Sequence, residues 1–398
     1  MRSRKWAIRL GIVGGVVILL VVGGVLGWRA LMNYFVQQYY QQTYQPLALE
    51  AGLVGDYPAE HHLNDVPWIA VEESLCPSTS LQMIAAQRGI EQPRRYFDFL
   101  MGFTYGVSAQ PGGSGFFPGT DPEAGFAIAA PYLGLVRRYY TTDDAGLYLR
   151  ALRYFLGQGR PVRVGLDYGR LYGMDEQLPH SDVLVGYDAQ GFFYYETVCV
   201  PPAPCEAGQR PAGEEGLYVT DAKLPEAVLS QAKVFSYSWR YSFTIFEAGP
   251  RQEDLGPVWE RNGQSLIGGA QYGPRSGADV IEGLADRIEK EGARFDVAEI
   301  RAGLETAVYV RGENATYLRE RFGGEAEVER AAALFEQAAG DYAAVLEASG
   351  DGIAGPAEAE QVAGWLRDAA AAEREIGRIF VALATPTVAP SLVDAPWT

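Results

Sequence analysis

Leu75-Cys76-Pro77-Ser78-Thr79-Ser80-Leu81 and, about a hundred residues on, Leu178-Pro179-His180-Ser181-Asp182-Val183-Leu184-Val185-Gly186-Tyr187-Asp188 are the stretches on which the fold turns. The first reads as a helix start. Proline suits the first helical turn, where its missing N–H would have no acceptor anyway. Leu81, Ile84 and Ala85 then follow at helical spacing to about Arg88, with Gly89 as the stop. Cys76 therefore lies at or just before the helix N-terminus, where free N–H groups and the positive end of the dipole favour a thiolate. On position alone it reads either as a nucleophile or as a small core residue.

The second stretch reads as a strand with His180 at its front. An imidazole presented at a sheet edge can take a thiol's proton and later hand it to a leaving group. Asp188-Ala189-Gln190-Gly191 reads as a hairpin turn and Gly191–Val198 as the returning strand, which sets His180 opposite roughly Glu196–Val198. Glu196 is thus the candidate to orient the ring, against the plainer reading of an edge carboxylate facing water. Asp182, two residues along the same strand, and Asp188, a turn former, rank behind it.

Working outward, Ala145–Leu156 reads as a helix and Pro161–Leu166 as a strand, while 107–125 is a Gly/Pro/Ser-rich loop. Ala232–Phe246 alternates around aromatics and reads as one or two strands. Beyond Gly249 the strand signals fade. Ala278–Glu291, Val297–Phe322, Glu325–Ser349 and Ala357–Ala384 read as helices broken at Gly or Pro, an antiparallel bundle by the burial of their apolar stripes. The expected divisions are a cytoplasmic N-terminus over 1–9, a transmembrane helix over 10–28, a juxtamembrane segment over 29–66, an α+β domain over 67–248, a helical domain over 249–384 and a loose tail over 385–398. His61-His62 falls in the juxtamembrane segment and reads as loop; adjacent residues project in different directions, so they are not expected to form a metal pair.

The membrane helix rests on Leu10–Trp28, nineteen uncharged residues that would make a helix of about 28 Å, near the hydrocarbon thickness. Arg2, Arg4, Lys5 and Arg9 precede it, so the positive-inside rule keeps the first residues in the cytoplasm and exports the chain beyond residue 29. A cleaved signal is the competing reading, but the apolar run is long and no Ala-x-Ala-like site comes after it. Gly11/Gly15 and Gly23/Gly27 have the spacing of a helix-pairing motif, a slight pointer to a homodimer. In an exported domain Cys199 and Cys205, around Val-Pro-Pro-Ala-Pro, can form a bridge; otherwise all three cysteines are small buried residues.

Lys plus Arg number 33 against 50 Asp plus Glu, a net charge of −17. That balance argues against nucleic acid or an anionic membrane surface as a partner, since both are bound through cationic side chains. The acid is concentrated after residue 247, and its simplest reading is a solvated outer face of the helices. Only three histidines are present, and no phosphate-binding glycine loop, metal cluster or haem motif is read, so neither a metal nor another cofactor is expected.

The cysteine at a helix start, the His-x-x-Val-Leu-Val-Gly-Tyr-Asp run and an acid on the next strand resemble the papain-like group that includes the C39-type cysteine peptidases. Cys76-Pro-Ser-Thr-Ser-Leu, the glycine/aromatic loop Phe103–Phe117 and Gly159-Arg-Pro-Val-Arg-Val are more similar to the N-terminal domain family of butirosin biosynthesis protein H. The similarity covers roughly residues 68–200. It implies a papain-like α+β fold and cysteine-centred acyl transfer, in the namesake's pathway from a carrier-protein thioester to an amine. Cys76 would be the nucleophile, His180 the base and Glu196 the orienting acid. C39-type peptidases carry a glutamine shortly before the cysteine; this chain has none between Gln45 and Cys76, and Glu stands for the expected Asp. The backbone N–H of Cys76 with the Ser74 hydroxyl is the pair considered for the oxyanion. Carrier proteins are cytoplasmic, so an exported domain would act instead on a peptide, lipid or cell-envelope ester. The other readings are an inactive papain-like shell that captures a peptide or small molecule, and a tethered helical bundle that recruits envelope partners.

Overall fold

The structure, a computed structural model, describes residues 24, 27–71, 73, 75–109, 116–206, 208–210, 215–268, 276–350 and 352–385. Contacts divide the chain into two units, one ending at Pro46 and the other running Leu47–Thr398. In the first, residues 27–44 form helix α1, with Trp28, Leu31, Met32, Tyr34 and Phe35 exposed. Among the described residues no helix is long and apolar enough to cross a membrane. The expected span over 10–28, with its glycine pairs, lies outside the described residues except at Gly24, Gly27 and Trp28, as does the tail beyond Thr385.

The second unit is mixed α and β with a helical C-terminal region. Its elements run β1 (Leu47–Ala48), β2 (His61–His62), β3 (Trp68–Ala70), α2 (Cys76–Ala86), α3 (Arg94–Met101), β4 (Ser108–Ala109), β5 (Phe116–Phe117), α4 (Pro122–Tyr132), β6 (Leu135–Thr142), α5 (Ala145–Gly157), β7 (Val162–Asp167), α6 (Tyr168–Tyr172), β8 (Pro179–Tyr187), β9 (Gly191–Tyr195), β10 (Gly208–Arg210), β11 (Leu217–Thr220), α7 (Lys223–Val234) and β12 (Tyr241–Ala248). The helices α8 (Gly256–Ile267), α9 (Ala278–Glu291), α10 (Ala298–Phe322), α11 (Ala326–Ala348) and α12 (Pro356–Leu383) complete it. The main sheet has the order β1-β6-β12-β7-β8-β9-β11, with β2 added beside β8. Among the described residues only the β1–β6 pair in it is parallel.

The hairpin turn forms where the sequence places it. Asp188 Oδ1 accepts from the N–H groups of Gln190 and Gly191 at 2.7 and 2.9 Å, closing the turn between β8 and β9. Several elements differ from the sequence reading. His61-His62 is a short strand rather than loop, because β8 offers a free edge there: His61 pairs with Tyr187 and His62 with Gly186. A Cβ at Gly186 would run into the His62 ring, so the close approach needs glycine. The end of the Gly/Pro-rich loop starts α4, since Asp121 caps it by accepting from Glu123 and Ala124 N–H and Pro122 sits in its first turn. The run read as strand from Ala232 opens as the end of α7, whose Leu224, Ala227, Val228 and Gln231 are buried at helical spacing. The alternating aromatics after it, Phe235, Tyr237 and Trp239, stack on one another at 5.5 and 5.1 Å in the turn before β12. Helices α3 and α8 and strand β6 are further elements that the sequence reading does not contain.

The boundary expected at 248/249 does not interrupt the core. One buried cluster runs from Leu49 to Leu383 and includes Phe99 of α3, Trp259 of α8, Tyr317 and Phe322 of α10 and Phe380 of α12. Trp259 sits 4.8 Å from both Phe99 and Phe380, ring centre to ring centre. A second cluster inside α9–α12 reaches back to Val107 and Phe116. The helices thus bury their stripes against one another and against the sheet-bearing part together, which is why Leu47–Thr398 forms one unit.

Candidate active site

Cys76 is the first residue of α2 and is partly exposed. Leu75 at the N-cap has no capping side chain. Its carbonyl accepts from Ser78 Oγ at 3.1 Å and Thr79 Oγ1 at 3.0 Å, which tightens the turn without occupying the first-turn N–H groups. Ser74, considered for the oxyanion, lies outside the described residues.

The helix is pinned to β8 one turn further on. Ser80 Oγ donates to Pro77 O at 2.7 Å and lies 3.1 Å from Ser181 Oγ, next to His180. Arg163 Nε donates to Ser181 Oγ at 2.8 Å, and both Arg163 and Arg137 bond the buried Glu123. Burial alone would raise the Glu123 carboxyl, but the two guanidinium groups outweigh it and hold it below its ordinary value.

His180 is buried, 7 % exposed, and its Nε2 faces acids: Glu196 Oε1 at 2.5 Å and Asp182 Oδ1 at 3.1 Å, with Thr197 Oγ1 at 3.4 Å. Nδ1 is the nitrogen left for another partner. Burial works to lower the imidazole's pKa, but the charges of Glu196, Asp182 and Cys76 outweigh it and hold it well above the ordinary value. Tyr168 packs edge-on against the ring, 5.1 Å between centres.

The register explains how Glu196 reaches His180. Tyr187 pairs with Phe192 and Gly186 with Phe193, but a bulge comes next, and Leu184 then pairs with Tyr194 and Val183 with Tyr195. Continued by one residue, Asp182 stands across from Glu196, so Glu196 shares a sheet face with Asp182 and His180. Glu196 is held from several sides: Oε1 accepts from Thr197 N at 3.0 Å and Val198 N at 3.1 Å, and Oε2 from Tyr172 OH at 2.6 Å. Trp68 Nε1 donates to Glu196 O at 2.9 Å, and the Trp68 ring stacks on Tyr195. Thus β3, six residues before Cys76, is fixed to the segment that carries the acid.

That segment continues into the loop closed by the Cys199–Cys205 disulfide, whose Cα atoms are 5.3 Å apart. Val200 O accepts from Tyr168 OH at 2.6 Å, and Ala203 N donates to the same hydroxyl at 3.2 Å, so the loop holds the tyrosine that leans on His180. Tyr168, Tyr172 and Thr197 were not singled out from sequence. Asp182 ranked behind Glu196, although its i+2 spacing from His180 was a signal that both project to one face.

His180, Asp182 and Glu196 bring a ring nitrogen and two carboxylate oxygens within 4.8 Å of one another. A metal with ligands at about 2.0–2.2 Å would hold them further apart than the 2.5 Å between Nε2 and Glu196 Oε1. The contact has the length of a charge-assisted hydrogen bond, and the arrangement suits moving and sharing protons. No family model matches this chain, and no curated protein matches it.

Proposed function

We propose that this chain is a membrane-anchored, papain-like enzyme in which Cys76 attacks an acyl group with His180 as base and Glu196 as the orienting acid. The observation that carries the reading is His180 Nε2 engaged by Glu196 at 2.5 Å; the reading assigns Nδ1 to Cys76. Nδ1 takes the thiol proton, sulfur then bonds to the acyl carbon, and the imidazolium gives that proton to the leaving group as its bond to the acyl carbon breaks. Water or an amine next attacks the thioester, losing its proton to His180, and sulfur leaves to recover it. The first-turn N–H groups of α2 are the donors for the developing oxyanion. Residues 10–28 form the anchor, and the exposed Trp28, Tyr34 and Phe35 of α1 suit a helix that leaves the lipid at its headgroup layer.

Alkylation of the full-length protein with iodoacetamide, followed by intact-mass spectrometry, tests this. Cys76 should label faster than a model thiol, and His180→Asn should remove the advantage. Equal rates with and without His180 would end the reading. The missing glutamine before Cys76 favours a second one, an inactive shell that captures a peptide or small molecule. In that case Cys76→Ala retains the protein's cellular role.

A further inference from the structure

We propose that Asp182 is a positioning residue, held as the neutral member of a carboxyl pair with Glu196, so that His180 works against one negative charge rather than two. This rests on the reading of His180 as proton carrier for Cys76.

The two acids differ in what they are offered. Glu196 takes the imidazole, two backbone N–H groups and the Tyr172 hydroxyl. Asp182 Oδ1 has the imidazole at 3.1 Å and a long contact from Thr197 N at 3.4 Å. Asp182 Oδ2 is buried with no hydrogen-bond partner among the described residues, and the side chain is 0 % exposed. A bare oxygen on a buried carboxylate is expensive, whereas a neutral carboxyl tolerates it. When like charges are this close, a single proton settles on the less well solvated group. Around Asp182 stand His180 on its own strand, Glu196 and Tyr194 from β9 and its continuation, and Tyr168 and Tyr172 from α6, while the charge that acts on the ring from α2 is that of Cys76. Burial first, then the charge of Glu196, pushes Asp182 up to about 7. Glu196 stays below its ordinary value because His180 and the donors outweigh its burial.

The consequence concerns proton return. A second full charge beside Nε2 would hold the imidazolium more tightly and oppose its release of a proton to the leaving group. With Asp182 neutral, Glu196 alone orients the ring. Above neutrality Asp182 ionises and the ring becomes harder to discharge.

The test is a pH titration of the His180 ring by NMR in full-length protein labelled at histidine, with the signal assigned by its loss in His180→Asn. Wild type should show an extra inflection near neutral pH, reporting the neighbour rather than the ring's own proton. Asp182→Asn should abolish that inflection and lower the ring's midpoint by less than Glu196→Gln does. Glu196→Gln should lower the midpoint by about 1–3 units. An inflection that survives in Asp182→Asn, or an equal fall in both variants, overturns the proposal. Infrared spectroscopy of the wild type guards against a misfolded variant: the carbonyl stretch of a protonated Asp should fade as pH rises through neutral, and its absence at pH 6 overturns the pair. A stoichiometric metal whose chelation alters the His180 signal does the same. If Cys76→Ser leaves the His180 titration unmoved while Asp182→Asn and Glu196→Gln behave as stated, the Cys–His reading fails and the carboxyl pair is supported.

Discussion

Replacing Arg311 by Met should be among the most destabilising single changes in the helical region. Arg311 and Glu373 are both 0 % exposed and joined by two bonds, Nε to Oε1 at 2.8 Å and Nη2 to Oε2 at 3.0 Å. Tyr342 OH donates to Glu373 Oε1 at 2.7 Å, and Arg311 also donates to the carbonyls of Thr104 and Gly106. This knot joins α10, α11 and α12 to the chain that leaves α3. Methionine fills much of the space, so the cavity contribution is small. The loss is dominated by stranding the Glu373 carboxylate, about 3–5 kcal/mol for breaking a buried pair. Thr104 O keeps the Asn314 amide at 3.1 Å, and the bond to Gly106 O is long at 3.3 Å, so these carbonyls add little. A loss of about 4 kcal/mol is roughly a thousand-fold in the unfolding equilibrium. Urea unfolding of the full-length protein, followed by tryptophan fluorescence, would read it. The double variant Arg311→Met with Glu373→Leu should recover most of the loss, because no charge is left unpaired. A single variant within about 1 kcal/mol of wild type, or a double variant no better than the single, would refute the reasoning.

Removing the disulfide with Cys199→Ser and Cys205→Ser should cost about 2 kcal/mol from the loss of a short closed loop. It should also slow Cys76 alkylation, since the loop holds Tyr168 against His180; unchanged alkylation would count against that link. Without reductant the denatured protein should titrate one thiol, Cys76. The raised Asp182 carboxyl gives a signed pH dependence. Its contribution is whole below the unfolded value of 3.8 and is lost as pH rises to about 7. Asp182→Asn should therefore gain on wild type by a few kcal/mol, at roughly 1.36 kcal/mol per unit, between pH 4 and pH 7. The gap should stay constant above that range. Urea unfolding at pH 4, 6 and 8 would check this, and a difference that does not vary with pH would contradict it. At Gly169 an added Cβ would collide with Glu176 O. Gly169→Ala should open the turn carrying Tyr168 and Tyr172, cost about 1–3 kcal/mol and reduce Cys76 labelling.

The sequence by itself determined local structure wherever a residue type has one good use. Pro77 after Cys76 marks the start of α2, Asp188 to Gly191 makes the hairpin, and the Gly and Pro breaks separate the last helices. It also determined which side chains were available, one thiol at a helix start and one histidine at a strand start. Short-range signals suffice there because capping, turn formation and helical spacing act over a few residues. Other features needed the whole chain folded. The bulge on β8 is one extra residue with no mark in the sequence. Without it Val183 would pair with Glu196, and the acid would point to the face away from His180 and Asp182. The tertiary structure also decided that Asp182 is buried with a bare oxygen while Glu196 gathers the donors, since those come from β9's end and α6. It likewise merged the sheet and the final helices into one core. A helix shows its apolar stripe in sequence, but the surface that stripe covers is settled by packing between distant segments.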